Sequence, residues 1–362
     1  MRHAILGFLF LLLFVPAAIS GQSSTASGVS NKMNPALSVN GLFLAKKSQD
    51  RHGVEYNSIS LQEAEMHVSS VVDPFWKANV IFSVYPEDAG SAYGIGVEEA
   101  SLESTSLPVG FNVTLGKFFV PFGKHSPLHT HHFPFVDAPV GVRTFLGEGL
   151  TDCGAMLTAT LPLNWYSDAV VYCLDGSTET FDAGSTDVSF GGRITNFWDL
   201  SENATLELGG SALSGPASVD YFGWGGRVTV YGVDLTYKWI CGTKSHGPAL
   251  TVQGEFILPD LSGDYNQPSG WYALSQYRFH HNWWVGACHG MANANIKTGR
   301  DDQDLLSVKT RESKLNLTFA PSEFSALRAE IAYVDDQVED IDDFSFRLQW
   351  NFTIGSHPAH RY

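Results

Sequence analysis

Phe344-Ser345-Phe346-Arg347-Leu348-Gln349-Trp350-Asn351-Phe352-Thr353-Ile354 alternates apolar and hydrophilic side chains for eleven residues without a miss. A period of two puts every second side chain on one face of an extended chain. Here one face is wholly apolar and the other carries Ser, Arg, Gln, Asn and Thr, over the length of a tilted strand crossing a bilayer. The pattern recurs in Tyr231, Val233, Leu235, Tyr237 and Trp239 against Asp234, Thr236 and Lys238. It recurs again in Ser325, Leu327, Ala329, Ile331 and Tyr333 against Arg328 and Glu330. No stretch shows a helical repeat.

Extended along the chain, the alternation predicts sixteen strands, beginning near residues 36, 59, 75, 94, 109, 151, 166, 187, 203, 226, 247, 269, 283, 304, 323 and 341. Every second connection is short, as at Val72-Asp73-Pro74, Leu107-Pro108, Pro162-Leu163-Asn164, Asp199-Leu200-Ser201, His281-Asn282 and Ala320-Pro321-Ser322. The alternate connections are longer and rich in Gly, Asp and Ser. Short turns at one rim and long loops at the other are the mark of an outer-membrane barrel. Aromatic pairs crowd the short turns: Phe75 and Trp76, Trp165 and Tyr166, Phe197 and Trp198, Trp283 and Trp284, Phe319 and Phe324. Amphipathic rings collect where hydrocarbon meets water, whereas a soluble sandwich would hold them mid-strand in its core. The fold class expected is all-β: a transmembrane antiparallel up-and-down β-barrel of about sixteen strands with a long third external loop.

The N-terminus sets the compartment. Arg2 precedes an apolar run from Ala4 to Val15, and Ala18-Ile19-Ser20 supplies small residues ahead of Gly21. Residues 1–20 are therefore read as a cleaved signal peptide, 21–34 as a flexible periplasmic leader, and 35–362 as the barrel. The formal charge is −16, and −17 once Arg2 leaves with the signal. That balance excludes nucleic acid as a partner and suits a cation-attracting surface or channel. Four cysteines in 362 residues do not make a disulfide framework. A hairpin centred on Leu163 would bring Cys153 and Cys173 opposite each other, which leaves a bridge between them open.

Residues 120–150 form the longest connection and hold His125, His129, His131 and His132. In an extended segment His129 and His131 point the same way, and a turn at Pro127 would bring His125 to them. Neutral imidazole suits zinc, nickel or copper, with Asp137 or Glu148 as an oxygen donor. The alternative is that these rings pack within a rigid, Pro- and Phe-anchored loop. No cofactor is required; zinc or another divalent cation is the ligand this loop could take. His357 and His360 make a weaker pair in the C-terminal tail. Charged residues facing away from the apolar stripes should line the lumen, since lipid exposure is costly. These are Glu63, Glu65 and His67 on one strand, Glu99 and Glu103 on another, and Lys77, Lys238, Arg278, Arg328 and Arg347 elsewhere. Acidic runs at 300–304 and 335–343 could bind divalent ions that bridge to lipid head groups.

Gly-x-Ser-x-Gly, phosphate-loop, His-Glu-x-x-His and Cys-x-x-Cys motifs are all missing, so an enzyme is not expected. Phe75-Trp76-Lys77-Ala78, Gly116-Lys117-Phe118-Phe119, the segment 122–139, Pro321 to Arg328 and the ending Asn351 to Tyr362 resemble a porin-like outer-membrane family of Gram-negative bacteria. Its members sometimes carry the label zinc-regulated TonB-dependent outer-membrane receptor. The resemblance implies an outer-membrane barrel with a link to zinc. The chain lacks a plug and is too short for a twenty-two-stranded receptor barrel, so energised transport is not expected. The leading expectation is a passive, cation-favouring porin in outer-membrane lipid, passing small hydrophilic solutes or metal ions. Its third loop would fold inward, and fold analogy suggests a homotrimer. A metal-binding barrel without an open pore, or a surface β-protein without a channel, are the alternatives.

Overall fold

The period of two is realised as sixteen antiparallel strands in an unbroken ring. They are β1 (Ala36–Asp50), β2 (Glu55–Val71), β3 (Trp76–Glu87), β4 (Ala92–Ser104), β5 (Phe111–Phe119), β6 (Thr151–Thr160), β7 (Tyr166–Leu174) and β8 (Ser189–Ser201). The second half is β9 (Ala204–Pro216), β10 (Arg227–Ile240), β11 (Ala249–Asp260), β12 (Ser269–His280), β13 (Trp283–Lys297), β14 (Leu305–Ser322), β15 (Ser325–Asp336) and β16 (Ile341–Gly355). This is a computed structural model, and it describes residues 35–87, 92–108, 110–178, 180–182, 187–218, 226–242, 247–261, 267–297, 305–337 and 341–355. The signal and leader (1–34), His357 and His360, and residues 300–304 lie outside the described residues.

The stretch that opened the reading closes the barrel. Strand β16 pairs with β15 on one side and with β1 on the other, Val39 opposite Ile354 and Phe43 opposite Trp350. Closure gives every strand two neighbours and leaves no edge strand, the condition for crossing hydrocarbon with strands. The apolar stripe of β16 points outward, with Phe344 53% exposed and its neighbour Ser345 1%. Strands β10 and β15 do the same with Tyr231, Val233, Leu235, Leu327, Ile331 and Tyr333.

The short turns are built by local hydrogen bonds. Asp73 Oδ1 accepts from the amides of Phe75 and Trp76 at 2.8 and 3.0 Å, and the Thr105 hydroxyl from the next short turn donates to Pro74 O at 2.7 Å. Phe75, Trp165, Tyr166 and Phe324 stand exposed at this rim, with the Trp283 and Phe319 rings 4.7 Å apart. The segment 241–248 between β10 and β11 is the one longer connection on the short-turn side.

One question the sequence left open is answered, and two features go beyond its reading. Cys153 and Cys173 are both free and exposed, because the register sets Cys173 opposite Ala155 and Cys153 opposite Lys117. They share the outer face but are offset along the ladder. The long loop is not free of helix: a 3₁₀ turn spans Thr130–His132, and helix α1 spans Val140–Leu146, entered from Pro139 and left at Gly147 with φ +68°. Seven residues are too few to show a helical period in the sequence.

The second feature concerns the lumen, where part of the inner wall is apolar. Loop residues Val120, Phe122, Phe135, Val140, Val142, Phe145 and Leu146 form a buried cluster with wall residues Tyr172, Leu213, Val230, Ile257, Tyr272 and Leu274. The wall alternation survives there, but both faces are apolar: one meets lipid and the other meets the loop. Each such side chain withdrawn from water contributes about 1.5–3 kcal/mol to docking the loop.

Candidate functional site

The loop between β5 and β6 folds inward and is held by the wall at four places. Gly123 N donates to Ser211 Oγ at 3.0 Å, and Lys124 Nζ reaches both oxygens of Glu207 at 2.8 Å. The backbone amides of Lys124 and His125 point at Glu255 Oε2, 3.3 and 3.4 Å away. Gly123 has φ +63°, and a Cβ there would collide with the Glu255 carboxylate, so glycine is required at this approach.

Strands β14 to β16 hold the middle of the loop. Arg328 donates to the carbonyls of Phe135 (3.1 Å) and Phe133 (2.9 Å), and Asn316 to that of Pro134 (2.9 Å). Val136 N donates to Glu330 Oε2 at 3.0 Å and Val140 N to Glu312 Oε2 at 3.1 Å. Lys314 pairs with Glu312 at 3.0 Å and donates to Asp137 O at 3.2 Å, while Arg347 pairs with the Asp137 carboxylate. Burial opposes the Asp137 charge, yet Arg347, Lys314 and Arg143 hold its carboxyl down at about 2. Helix α1 then rests on β12, where Gly141 and Gly270 meet backbone to backbone.

The remaining contact gathers charge that is not balanced. His129 Nδ1 lies 3.2 Å from Glu65 Oε1 and 3.4 Å from Glu98 Oε2. His131 Nδ1 lies 2.9 Å from Glu65 Oε2. Glu63 hydrogen-bonds Glu98 and Thr130, and Glu99 stands beside His129. Burial works against a charged imidazole here, but the Glu65 and Glu98 carboxylates beside it carry His129 up to about 10. Four carboxylates thus converge on a pair of histidines at the inner surface of β2 and β4.

Of the residues expected to line the lumen, Glu63, Glu65, His67, Glu99, Glu103, Lys238, Arg278, Arg328 and Arg347 all sit on inward positions of their strands. They are put to different uses. Glu65, Arg328 and Arg347 grip the loop; Glu103 accepts from Asn112 Nδ2 at 2.9 Å near the short-turn rim. Lys77 faces Glu103 across β3 and β4. Arg278 donates to Gly247 O at 2.8 Å and lines a cavity of about 370 Å³ at that rim, with Asn351 and Thr353.

The four loop histidines do not form one group. His129 and His131 reach the carboxylates, and the His132 ring sits 3.9 Å from that of His131. His125 is elsewhere, fully buried against Phe133 and Tyr272, with neither ring nitrogen hydrogen-bonded. Burial and the Lys314 charge push it down to about 3. The oxygen donors expected from Asp137 and Glu148 are also committed elsewhere, Asp137 to Arg347 and Glu148 to the amide of Ala138 at 3.1 Å. Wall carboxylates take their place.

Glu98 escaped the sequence reading because strict alternation sends it to lipid. A bulge where Ile81 faces Glu99 and Phe82 faces Val97 leaves Glu98 as the extra residue, so two consecutive glutamates serve the interior. A second bulge, with Leu42 opposite Glu63 and Phe43 opposite Leu61, frees Gln62 to donate to Val136 O at 3.1 Å. The doublet Glu98-Glu99 inside an apolar-polar alternation was the available signal: one of the pair must otherwise face hydrocarbon.

No family model matches the chain. An uncharacterised protein of Aquifex aeolicus strain VF5 is 27% identical over 344 residues, covering 85% of this chain and 71% of its own length. Among solved structures, the anion-selective porin of Comamonas acidovorans aligns with a TM-score of 0.59 at 12% identity, covering 88% of this chain and 100% of its own. The outer-membrane channel DcaP of Acinetobacter baumannii gives 0.56 at 12%, covering 90% and 99%. The trimer form of OmpT from Vibrio cholerae gives 0.55 at 10%, covering 88% and 99%. The fold is that of outer-membrane porin-type barrels. The receptor half of the label met in the resemblance gains no support.

Proposed function

We propose that this chain is an outer-membrane porin-like channel that passes small hydrophilic solutes, favours cations, and is narrowed by the loop of residues 120–150. The observation that carries the reading is the surplus of negative charge where loop meets wall. At β14 to β16 the charges cancel in pairs: Lys314 with Glu312, Arg347 with Glu330 and Asp137. At β2 and β4, Glu63, Glu65, Glu98 and Glu99 gather round His129 and His131, and even with a proton shared between Glu63 and Glu98 the acids outnumber the cationic partner His129 among the described residues. In a narrow, low-dielectric passage such a surplus attracts cations and repels anions. Anion selectivity belongs to the Comamonas porin; selectivity is set by lumen side chains, which a shared fold does not carry. Zinc is among the cations this carboxylate-imidazole surface suits. A homotrimer is the assembly we assign, to be checked by mass measurement in detergent.

Planar bilayer recordings in a potassium chloride gradient test the reading. Stable steps are expected, with a reversal potential on the cation side that shrinks in Glu65→Gln. An anion-side potential in the wild type would overturn the preference. A second reading is favoured by the depth of loop burial, which leaves Phe122, Phe133 and Phe135 at 1% exposure or less. In it the barrel holds a metal ion without an open pore, and the absence of any conductance step would select it.

A further inference from the structure

We propose that Glu65, Glu98 and His129 form a binding site for a divalent first-row cation of the zinc class, and that its occupation staples the loop to the barrel wall. The site names a ligand within the channel reading above, but it rests on that reading only for its effect on conduction.

The spacing is the first argument. One nitrogen and two oxygens held at about 2.0–2.2 Å around a tetrahedral ion lie roughly 3.3–3.6 Å from one another. His129 Nδ1 stands 3.2 and 3.4 Å from the two carboxylate oxygens, and all three ligand atoms fall within 4.8 Å of each other. A charge-assisted N–H···O bond is shorter, about 2.7–2.9 Å. One Nδ1 proton also cannot point at two carboxylates at once. The nitrogen is placed where an ion between the three atoms would want it.

The second argument is the crowding of carboxyl groups. Glu63 is buried against Glu98, and no N–H donor reaches its Oε2. Two carboxyl groups sharing one site need a proton or a cation between them. Glu63 is a candidate for a fourth donor, or for gripping a metal-bound water. His131 Nδ1, 2.9 Å from Glu65 Oε2, holds the far oxygen and so aims the near one. One imidazole with two or three carboxylates suits zinc, cobalt or manganese better than calcium, which asks for six to eight oxygens.

Two ligands come from the wall and one from the loop, so binding closes a bridge between them. Bound metal would oppose any outward swing of the loop. The barrel itself needs no metal, since its sixteen strands close by backbone pairing alone.

The test is calorimetric titration of chelator-treated full-length protein in detergent with zinc chloride alone, repeated with calcium chloride. One zinc per chain is expected, and calcium should not compete. His129→Asn and Glu98→Gln should each weaken zinc binding at least ten-fold, while His289→Ala, on the outer face, should not. Far-UV spectra and thermal transitions confirm that each variant is folded. If a variant misfolds, cobalt absorption of the wild type still reads the ligand set, because nitrogen-oxygen tetrahedral cobalt is intensely coloured. No zinc uptake by the wild type, or unchanged uptake in both folded variants, overturns the site. Zinc uptake without conductance leaves the site standing and removes the channel; conductance without zinc uptake does the reverse.

Discussion

Replacing Gly141 by valine should release the loop from the lumen while leaving the barrel closed. A Cβ at Gly141 would lie 2.6 Å from Trp271 N and 2.9 Å from Trp271 O. Carbon prefers to stay about 3.5–4.0 Å from such atoms, so the overlap is close to 1 Å. Trp271 cannot yield, because β12 is paired on both sides, with Phe256 on β11 and Met291 on β13. The loop must therefore move. Overpacking of this kind costs roughly 1–3 kcal/mol. Taking about 2–3 kcal/mol, the undocked fraction rises roughly 30- to 150-fold, at 1.4 kcal/mol per decade. The matched control is Gly210→Val, on the outer face, where an added Cβ meets nothing within 4 Å. Single-channel conductance should rise or become noisier in Gly141→Val, and trypsin should cut at Lys124 or Arg143 faster than in the control. Identical conductance and cleavage in both variants would mean that the helix does not brace the loop as described.

Glu330→Ala strips Val136 N and Arg347 of a partner inside the barrel, and breaking such a buried pair costs about 3–5 kcal/mol; faster tryptic cleavage of the loop is expected, and an unchanged rate would count against the anchor. Acid should loosen the loop through His125. Its folded pKa of about 3 lies below the ordinary 6.5, so docking is unaffected above pH 6.5 and loses about 1.4 kcal/mol per pH unit as pH falls from 6.5 toward 3. Glu148, whose carboxyl burial holds above its usual range, works in the opposite sense, so the readout is the difference from His125→Phe. That variant should lose the acid-driven rise in conductance between pH 6.5 and 4.5, and equal profiles would refute the assignment. On the outer face, Val233→Arg should lower stability in lipid by about 2–4 kcal/mol, while the same change at Gly210, opposite it in the ladder, should behave alike; tolerance at both would argue against the membrane face.

The period of two in β16, β10 and β15, together with the rim aromatics, was enough to specify a lipid-facing ring of strands. Alternation is a one-dimensional property, and bilayer burial demands it of each strand independently, so it is written in the order of residues. The count of sixteen, the third loop and the inward direction of Glu63, Glu65, Arg328 and Arg347 follow from the same periodicity. What the inward residues touch does not. Whether Arg347 meets water or Asp137 depends on where a loop two hundred residues away comes to rest, and only the closed ring sets that. Glu98 shows the same limit locally, since a bulge is fixed by pairing with β3 and leaves no regular trace in β4. The four histidines were visible as a cluster in the chain, but tertiary structure divided them. His129 and His131 stand at the carboxylates of β2 and β4, with His132 against the His131 ring, and His125 is buried with Phe133 and Tyr272; which ring takes which role depends on the wall strands the loop meets, and those are not adjacent in the sequence.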